Sequence, residues 1–324
     1  MFNRSKKEKF AYDFEQPVRE LEKELEDLRY RQAHDGEDLS DRIEELEEER
    51  DEKLRDIFGS LNAYQRVKLA RHPLRPQSLD YINEIFDEFI ELHGDRRYGD
   101  DQAIITGFAR LEGRRVMVVA QQKGRDVEEK KRRNFGMPEP EGYRKALLKM
   151  RLAEKCGLPI VCLIDTPGAA PSVGAEERGQ AMAIAENICS MAGLKTPIVL
   201  VVIGEGCSGG ALGMGVGDRF AMLENAYYAV ISPEGCAAIL WKDGEKAPEA
   251  AEALKLTAND MLDQGIIDEV LPEPLGGAHR DPRETAETVK DYIGRMLDDL
   301  GETPIDELVE ERYTRYRELG VYAP

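Results

Sequence analysis

The chain has 324 residues, of which 41% are hydrophobic, enough for one large domain or two ordinary ones with a real core. Charged residues make up 34% of the chain, and the formal net charge is −19. Because neutralising phosphates needs a basic surface, this balance argues against a general nucleic-acid binder. One stretch differs locally, since residues 123–133 hold six basic residues among three acidic ones.

The cysteines and the amino end predict a reduced cytoplasmic protein. The scattered cysteines include no CxxC pair, which fits neither a disulfide framework nor a zinc site, so we expect buried free thiols. They are Cys156, Cys162, Cys189, Cys207 and Cys236. The start, MFNRSKKEKF, lacks the apolar run of a signal peptide, and no segment is long and apolar enough to span a membrane.

Residues 14–57 predict two amphipathic helices that form an αα-hairpin or a short coiled coil. Their apolar residues recur at helical spacing on both sides of His34-Asp35-Gly36. These residues are Val18, Leu21, Leu25, Leu28, Leu39, Ile43, Leu46 and Leu54. The seam requires a partner surface, either the main domain or another subunit. Pro73 and Pro76 interrupt any helix there, so residues 1–76 are interpreted as hairpin and linker.

The next residues predict a helix, a hairpin and a long loop. Apolar residues from Leu79 to Phe89 follow helical spacing up to His93-Gly94, and residues 104–121 alternate around Glu112-Gly113 as in a β-hairpin. Residues 123–142 form a polar segment that is interpreted either as a functional loop or as a mobile surface loop. A helix over residues 143–156 follows.

Two similar units then occur about forty residues apart. In the first, an apolar strand ends at Asp165 and a helix spans residues 174–191; in the second, a strand over residues 198–203 ends at Gly204. This period favours stacked β/α units whose turns lie at one edge and jointly build a site. Further elements complete the main domain, interpreted as residues 77–280, and a charged helical region fills residues 281–324.

The glycine-rich stretch after the second strand is the strongest candidate site. Gly204-Glu205-Gly206 predicts a turn, and Ser208 to Ala211 could open a helix. A helix start leaves backbone N–H groups unpaired, and with the helix dipole these favour a negative oxygen. We therefore predict either an oxyanion hole or, with equal weight on these residues, a tight turn required for packing.

A serine hydrolase is the second-ranked interpretation. Residues 206–210 fit G-x-S-x-G, and Ser208, Asp268 and His279 occur in the order of such a triad. However, His279 lies in a segment that predicts a surface loop, and the histidines in general are interpreted as solvated or capping. Cys207 is expected to be a packing residue rather than a reactive thiol. No catalytic acid, base or metal site stands out, which suits chemistry that stabilises an oxyanion. A non-enzymatic scaffold, docking partners through the hairpin, is the third alternative.

Five motifs in order resemble the α subunit of bacterial acetyl-CoA carboxylase carboxyltransferase. They are Arg71-His72-Pro73 with Arg75-Pro76, then RRNFGMP at 132–138, DTPGA at 165–169, GAEERGQ at 174–180 and ISPEGC at 231–236. The resemblance extends from the N-terminal helices to about Asp281. It implies an α/β, crotonase-like (ClpP/crotonase) spiral of ββα units with an N-terminal helical hairpin.

The resemblance also implies a function. Members of this family pass the carboxyl group of biotin, attached to biotin carboxyl carrier protein, to acetyl-CoA and so form malonyl-CoA, the first committed step of fatty acid biosynthesis. They are active only with a β subunit, as α2β2, and biotin carboxylase is a further implied partner. Zinc is expected on the β subunit and no metal in this chain. ATP and nucleotide binding are further implied properties.

By the same resemblance, the backbone amides of Gly209, Gly210 and Ala211 would hold the biotin ureido oxygen, without any side-chain base. The implied substrate-binding residues are Gly168, Ala169, Phe135, Gly136, Lys123, Arg125 and Arg132, the three basic ones as candidates for the phosphates of coenzyme A. Two departures lie beside this pocket. Cys207 stands where the family usually has glycine, and residues 169–172 lack the aromatic and glycine residues common in that loop.

Overall fold

The computed structural model describes residue 10 and residues 12–320. The strands of this part of the chain are β1 (Glu88–Glu91), β2 (Ile104–Leu111), β3 (Arg114–Gln121), β4 (Ile160–Thr166), β5 (Ile198–Cys207), β6 (Arg219–Leu223), β7 (Tyr227–Ala229) and β8 (Glu269–Leu271). They form one sheet in the order β1-β2-β3-β4-β5-β6-β8, with β7 paired to β5. β1, β2 and β3 are antiparallel, and the remaining pairs are parallel.

Helices connect and cover these strands. They span Gln16–Asp35, Ser40–Gly59, Ala63–Ala70, Ser78–Ile85, Val127–Arg132, Pro140–Cys156, Val173–Glu177, Gln180–Gly193, Ser208–Leu212, Pro233–Trp241, Ala247–Leu254, Ala258–Asp263, Pro282–Glu302 and Ile305–Glu318. Within the described residues, no helix combines the length and the apolar character that a membrane span needs. The predicted lack of a signal peptide rests almost wholly on residues 1–9, which lie outside the described part.

The two similar units predicted from the sequence lie side by side as β4 and β5. Both strands are buried along their whole length, as unbroken aliphatic runs require when both faces of a sheet are covered. Their register pairs Ile160 with Ile198 and continues to Ile164 with Val202. Because the strands are parallel, the segments that follow them meet at the same edge of the sheet, which confirms that prediction.

Several predicted boundaries were wrong. The helix that begins at Ser78 ends at Ile85, and Phe89 belongs instead to β1, where it pairs with Ala109 of β2. Residues 123–142 are not one long loop, because Asp126 caps a helix at Val127–Arg132. The predicted helix over 174–191 is broken at Gly179, whose φ of 82° lies in the left-handed region that glycine favours.

The N-terminal hairpin forms as predicted and packs on the main body. Its two helices are separated by Gly36 at φ 70°, and Val18 and Leu54 form a small buried cluster with Leu69. Arg280 pairs with Glu22 at 2.5 Å, and the His279 Nε2 lies 3.6 Å from a Glu15 carboxylate oxygen. The partner of the apolar seam is therefore, at least in part, this same chain.

Two histidines stack where the hairpin meets the body. The rings of His72 and His279 are 3.9 Å apart between centroids, and both side chains are largely buried. His72 Nδ1 accepts from the Leu74 amide, and its Nε2 contacts the Phe10 carbonyl oxygen at 3.1 Å. The prediction of solvated or capping histidines holds for exposed His34 and is wrong for this pair.

We expect His72 to make the folded state sensitive to acid. Burial, together with the neighbouring His279, lowers the pKa of His72 from 6.5 to about 3. Below about pH 6.5, His72 therefore binds a proton in the unfolded chain but stays neutral in the folded chain. The contribution of neutral His72 to the free energy of unfolding is thus fully present above pH 6.5 and is lost as the pH falls toward 3. The slope from one such proton reaches about 1.4 kcal/mol per pH unit. Urea unfolding across this pH range should show this pH dependence of the free energy of unfolding in the wild type and not in His72→Gln. Equal slopes in the two proteins would contradict the prediction.

The C-terminal helices complete the same core. Arg312, on Ile305–Glu318, is fully buried and pairs with Asp218 at 2.7 and 2.8 Å. Its other hydrogen bonds go to the carbonyl oxygens of Met191, Leu194 and Thr196. A buried guanidinium with all of these acceptors satisfied is a strong tertiary link between the last helix and the start of β5.

Candidate functional site

The candidate site lies at the carboxyl ends of β3, β4 and β5. β5 continues through Gly204, Glu205 and Gly206 to Cys207, so the predicted turn at Gly204 was wrong. The extension is possible because β7 pairs with residues 205–207 and supplies a second partner strand. The sharp turn is at Ser208, whose φ of 56° is unusual for a residue with a side chain, and a short helix runs from Ser208 to Leu212.

Gly210 is packed directly against the loop that follows β4. A Cβ placed on Gly210 would lie 2.5 Å from the carbonyl carbon of Gly168 and 2.6 Å from the nitrogen of Ala169. The structure thus brings together Gly210, Gly168 and Ala169, three of the predicted site residues. No side chain fits at this contact, which is why the position requires glycine.

Gly136 joins the same cluster through a buried hydroxyl. Thr166 Oγ1 donates to the Gly136 carbonyl oxygen at 2.6 Å, and it accepts from the Gly168 amide at 3.1 Å. The neighbouring Ala170 amide donates to the Pro138 carbonyl at 3.0 Å. The loops after β4 and around residues 134–138 are therefore fixed to each other beside the glycine turn.

The glycine turn presents the amide donors of a helix start. Gly209 and Gly210 lie in the first turn of the helix, where N–H groups have no acceptor four residues back within the helix. Ala211 lies one residue deeper, where helical geometry gives its amide the Cys207 carbonyl as a partner. The arrangement therefore favours Gly209 and Gly210 as donors to an oxyanion, and the role of Ala211 stays a prediction.

A buried ion cluster supports the three strand ends. Lys123 Nζ lies 2.7 Å from Asp165 Oδ1 and 3.1 Å from Glu205 Oε2, and the Glu205 amide donates to the same Asp165 oxygen at 2.9 Å. Arg71 Nε donates to Glu205 at 2.7 Å, and the hydroxyl of Tyr227 donates to it at 2.8 Å. Lys123 is therefore engaged inside the protein rather than free to meet phosphates.

The pKa values in this cluster follow from burial and these partners. Burial would raise the pKa of Glu205, but Lys123 and Arg71 outweigh it and lower the value to about 2. Burial and the like charge of Glu205 raise the pKa of Asp165. Burial disfavours the Lys123 ammonium, but the two carboxylates outweigh it and raise the pKa of Lys123. The lysine therefore remains a cation at neutral pH.

A cavity of about 220 Å³ opens beside this cluster. Its lining includes Lys123, Arg125 and Phe135 together with Arg71 and Lys130. Arg125 reaches it while paired with Asp80, and Phe135 is half exposed at a φ of 57°. Arg132 is exposed and does not line the cavity, so the structure groups two of the three predicted basic residues there.

The residues of the hydrolase alternative are not brought together. His279 contacts Glu15 and His72, whereas Asp268 accepts from the Phe220 amide at 2.7 Å and pairs with Arg315. Among the described residues, no base makes a hydrogen bond to the Ser208 hydroxyl. A nucleophilic serine needs such a base within reach, so the triad is not assembled.

Glu15, His72 and His279 are the described residues that could be considered for a metal, since their donor atoms lie within 4.8 Å of one another. Both His72 nitrogens already make hydrogen-bonding contacts to backbone groups, and its ring stacks on that of His279. Two stacked imidazoles do not point their in-plane lone pairs at one ion. The cluster is therefore better explained as packing.

Cys207 is expected to be unreactive. Burial, with the charge of Glu205, raises the pKa of its thiol to about 11, so almost no thiolate exists at neutral pH. The prediction of buried thiols is confirmed for Cys162, Cys207 and Cys236 but wrong for Cys156 and Cys189, which lie on helix surfaces. Iodoacetamide at pH 7.5, followed by peptide mass mapping, should label those two exposed cysteines and spare Cys207. Labelling of Cys207 at a comparable rate in folded protein would contradict this.

Several residues of the site were not found from the sequence. Gln121 and Tyr143 both donate to the Gly210 carbonyl oxygen. In the sequence, however, Gln121 is simply the last residue of a strand and Tyr143 lies near the start of a helix, as many core residues do. Asp165 and Glu205 were seen only as parts of glycine-containing turns. Their position at the ends of adjacent parallel strands was the available signal.

The fold and the site together define a crotonase-like α/β protein with backbone amide donors at the carboxyl edge of its parallel strands. The family model described as "Acetyl co-enzyme A carboxylase carboxyltransferase-like" matches residues 11–320. The chain therefore belongs to the acetyl-CoA carboxylase carboxyltransferase family.

Two relatives carry the name "Acetyl-coenzyme A carboxylase carboxyl transferase subunit alpha". The one from Methylococcus capsulatus is 56% identical over 96% of this chain and 97% of its own length. The one from Rhodopirellula baltica is 52% identical over the same shares.

Solved structures agree in fold. Transcarboxylase 12S superposes with a TM-score of 0.58 and 21% identity, over 71% of this chain and 43% of that chain. A Pseudomonas malonate decarboxylase hetero-tetramer in complex with coenzyme A gives 0.55 and 18% identity, over 68% of this chain and 89% of that chain. At these identities the likeness shows the crotonase-like fold alone.

Proposed function

We propose that this chain is the α half of an acetyl-CoA carboxylase carboxyltransferase and supplies the oxyanion site for the ureido oxygen of biotin. The observation that carries the proposal is the pair of first-turn amides at Gly209 and Gly210, with Gly210 packed against Gly168 and Ala169. Named α-subunit relatives over nearly the whole chain support the carboxyltransferase assignment.

The residues fit biotin in chemical type. When bound, biotin supplies a nitrogen that carries the carboxyl group and, once the carboxyl group has left, accepts a proton from the methyl group of acetyl-CoA. The Gly209 and Gly210 amides donate to the ureido oxygen as negative charge develops there. The Thr166-linked loops hold these donors in place. No side-chain base is required, which agrees with a turn that carries none.

The proposal extends to the partners and setting of the enzyme. We propose a β subunit, with zinc, that completes the active site in an α2β2 assembly, and delivery of biotin by biotin carboxyl carrier protein after loading by biotin carboxylase. Acetyl-CoA is the acceptor and malonyl-CoA the product, within a cytoplasmic, ATP-dependent complex for fatty acid synthesis. Arg125 beside the cavity, and Arg132 outside it, remain candidates to meet coenzyme A phosphates.

Isolation of this chain from its native host, with partners identified by mass, is the first test. A β subunit of similar size in equal amount is expected, and the pair should form malonyl-CoA from carboxybiotin and acetyl-CoA. A homo-oligomer without turnover would sink the proposal. Ser208→Ala should retain turnover in the pair, and labelling of Ser208 by a fluorophosphonate probe would instead support a hydrolase.

A further inference from the structure

The carbonyl oxygen of Gly210 is held by two buried side chains. Gln121 Nε2 donates to it at 2.8 Å and the Tyr143 hydroxyl at 3.2 Å. Neither side chain is exposed. The short helix ends at Leu212, and the Met214 amide donates to Ala211 rather than to Gly210. The Gly210 carbonyl is therefore left without the amide four residues later as its donor, and Gln121 and Tyr143 supply the donors that a helix end leaves missing.

Gln121 also contacts the loop on the other side of Gly210. Its Oε1 accepts from the Asp165 amide at 3.1 Å, at the point where β4 leads into Gly168 and Ala169. One amide side chain at the end of β3 therefore ties together both backbone segments that enclose Gly210. Both hydrogen-bonding ends of this side chain are used.

We infer that Gln121, assisted by Tyr143, is a positioning residue that fixes the orientation of the Gly210 amide; the inference rests on the proposed function of that amide as an oxyanion donor. Glycine has no side chain to restrict its φ and ψ angles, so its orientation depends on its neighbours. An amide donor accelerates a reaction when it already points to where charge develops. The Gly210 carbonyl lies in the next peptide unit, on the other side of the Gly210 Cα, so anchoring it limits the φ and ψ rotations of Gly210 that would turn its amide away.

Gln121→Met tests this in the α/β pair. The change removes the donor at similar size, and we expect kcat to fall about 10- to 100-fold, within the range of a lost buried hydrogen bond and below that of a lost oxyanion donor. The KM for acetyl-CoA should stay unchanged, because the Gly210 amide is proposed to hold the biotin oxygen and not acetyl-CoA. Tyr143→Phe removes the longer hydrogen bond and should have a smaller effect.

Asn187→Leu is the matched control. Asn187 is buried, and its Nδ2 donates at 2.9 Å to the carbonyl oxygen of Gly213, three residues beyond Gly210. The variant loses the same kind of hydrogen bond to the same segment but leaves both hydrogen bonds to the Gly210 carbonyl intact. We expect its kcat within about twofold of wild type at a comparable loss of thermal midpoint. Equal losses of kcat in Gln121→Met and Asn187→Leu would reduce Gln121 to a structural role and overturn the inference.

Gln121→Glu supplies a pH profile that a structural role would not move. A buried carboxyl has a raised pKa, and its protonated form can still donate to the Gly210 carbonyl, whereas its ionised form repels it. The ratio of variant to wild-type kcat should therefore rise as the pH is lowered. A ratio that stays flat or falls would contradict the inference.

A second readout is independent of turnover. In the full chain labelled with ¹⁵N-glycine, the Gly210 amide resonance should shift in Gln121→Met and stay in place in Asn187→Leu. An unmoved Gly210 resonance would overturn the positioning role even if the enzyme is active. If the wild-type pair makes no malonyl-CoA while the resonance shifts as expected, the proposed function fails and the anchoring of Gly210 stands.

Discussion

Replacing Gly210 by alanine is expected to reduce carboxyl transfer by about 10²–10³-fold in kcat, the loss typical of one oxyanion donor. The added Cβ would lie 2.5 Å from the Gly168 carbonyl carbon and 2.6 Å from the Ala169 nitrogen, distances that real Cβ atoms do not adopt. Both contacts are backbone, so the turn or the loop must move, and the amide moves with it. Malonyl-CoA formation by the purified α/β pair measures the effect.

Gly209→Ala is the control for this prediction. The same atom added one residue earlier would lie 3.5 Å from Ile184 Cδ1, an ordinary van der Waals contact with a flexible side chain. Its own amide nitrogen is retained, and we expect kcat within about fivefold of wild type, because no donor is lost. If Gly209→Ala and Gly210→Ala lost activity equally, close packing at Gly210 would not be what holds the donor in place.

Replacing Lys123 by methionine is expected to lower the free energy of unfolding by about 3–5 kcal/mol, the cost typical of removing one partner from a buried ion pair. The change leaves Asp165 and Glu205 next to each other, with Arg71 as the cation still paired to Glu205 and the Tyr227 hydroxyl still donating to it. Two buried carboxylates without their shared cation favour the unfolded state or proton uptake. Urea unfolding of the full chain at pH 7 measures the loss.

Arg125→Met provides the comparison. Arg125 and its partner Asp80 are both exposed by more than a third, so their pair should contribute less than about 1 kcal/mol. The difference in unfolding free energy between Lys123→Met and the wild type should also become smaller as the pH is lowered, since protonation neutralises an uncompensated carboxylate. Similar losses of unfolding free energy in Lys123→Met and Arg125→Met would show that the Lys123 cluster does not contribute the stability assigned to it.

The fold was largely predictable from local patterns. Long aliphatic runs marked β4 and β5, alternation marked the hairpin of β2 and β3, and helical spacing marked the N-terminal hairpin. The ends of the strands were harder to predict, because they depend on which strands pair with each other. Residues 204–206 read as a turn on their glycines alone, yet β7 pairs there and extends the strand. The glycines are instead explained by close contacts, such as that of Gly204 with Asp165.

The candidate site was predicted in its backbone and missed in its side chains. The Gly209–Ala211 turn and the Gly168–Ala169 loop were placed correctly at one edge, because parallel strands bring their carboxyl ends together. The resemblance makes Lys123 a candidate for phosphates, whereas in the structure it pairs with residues 42 and 82 positions away, and no local pattern indicates those partners. The same applies to Gln121, whose two partners come from separate loops.

The link between Arg312 and Asp218 has a consequence for biosynthesis. The two residues are 94 positions apart, so Asp218 leaves the ribosome long before its cation has been translated. Until then the corner between β5 and β6 cannot close without burying an unpaired carboxylate, which is strongly unfavourable. Packing of this corner therefore depends on a helix that is synthesised later than the strands it joins, and a nascent chain that lacks Ile305–Glu318 is expected to keep Asp218 in water.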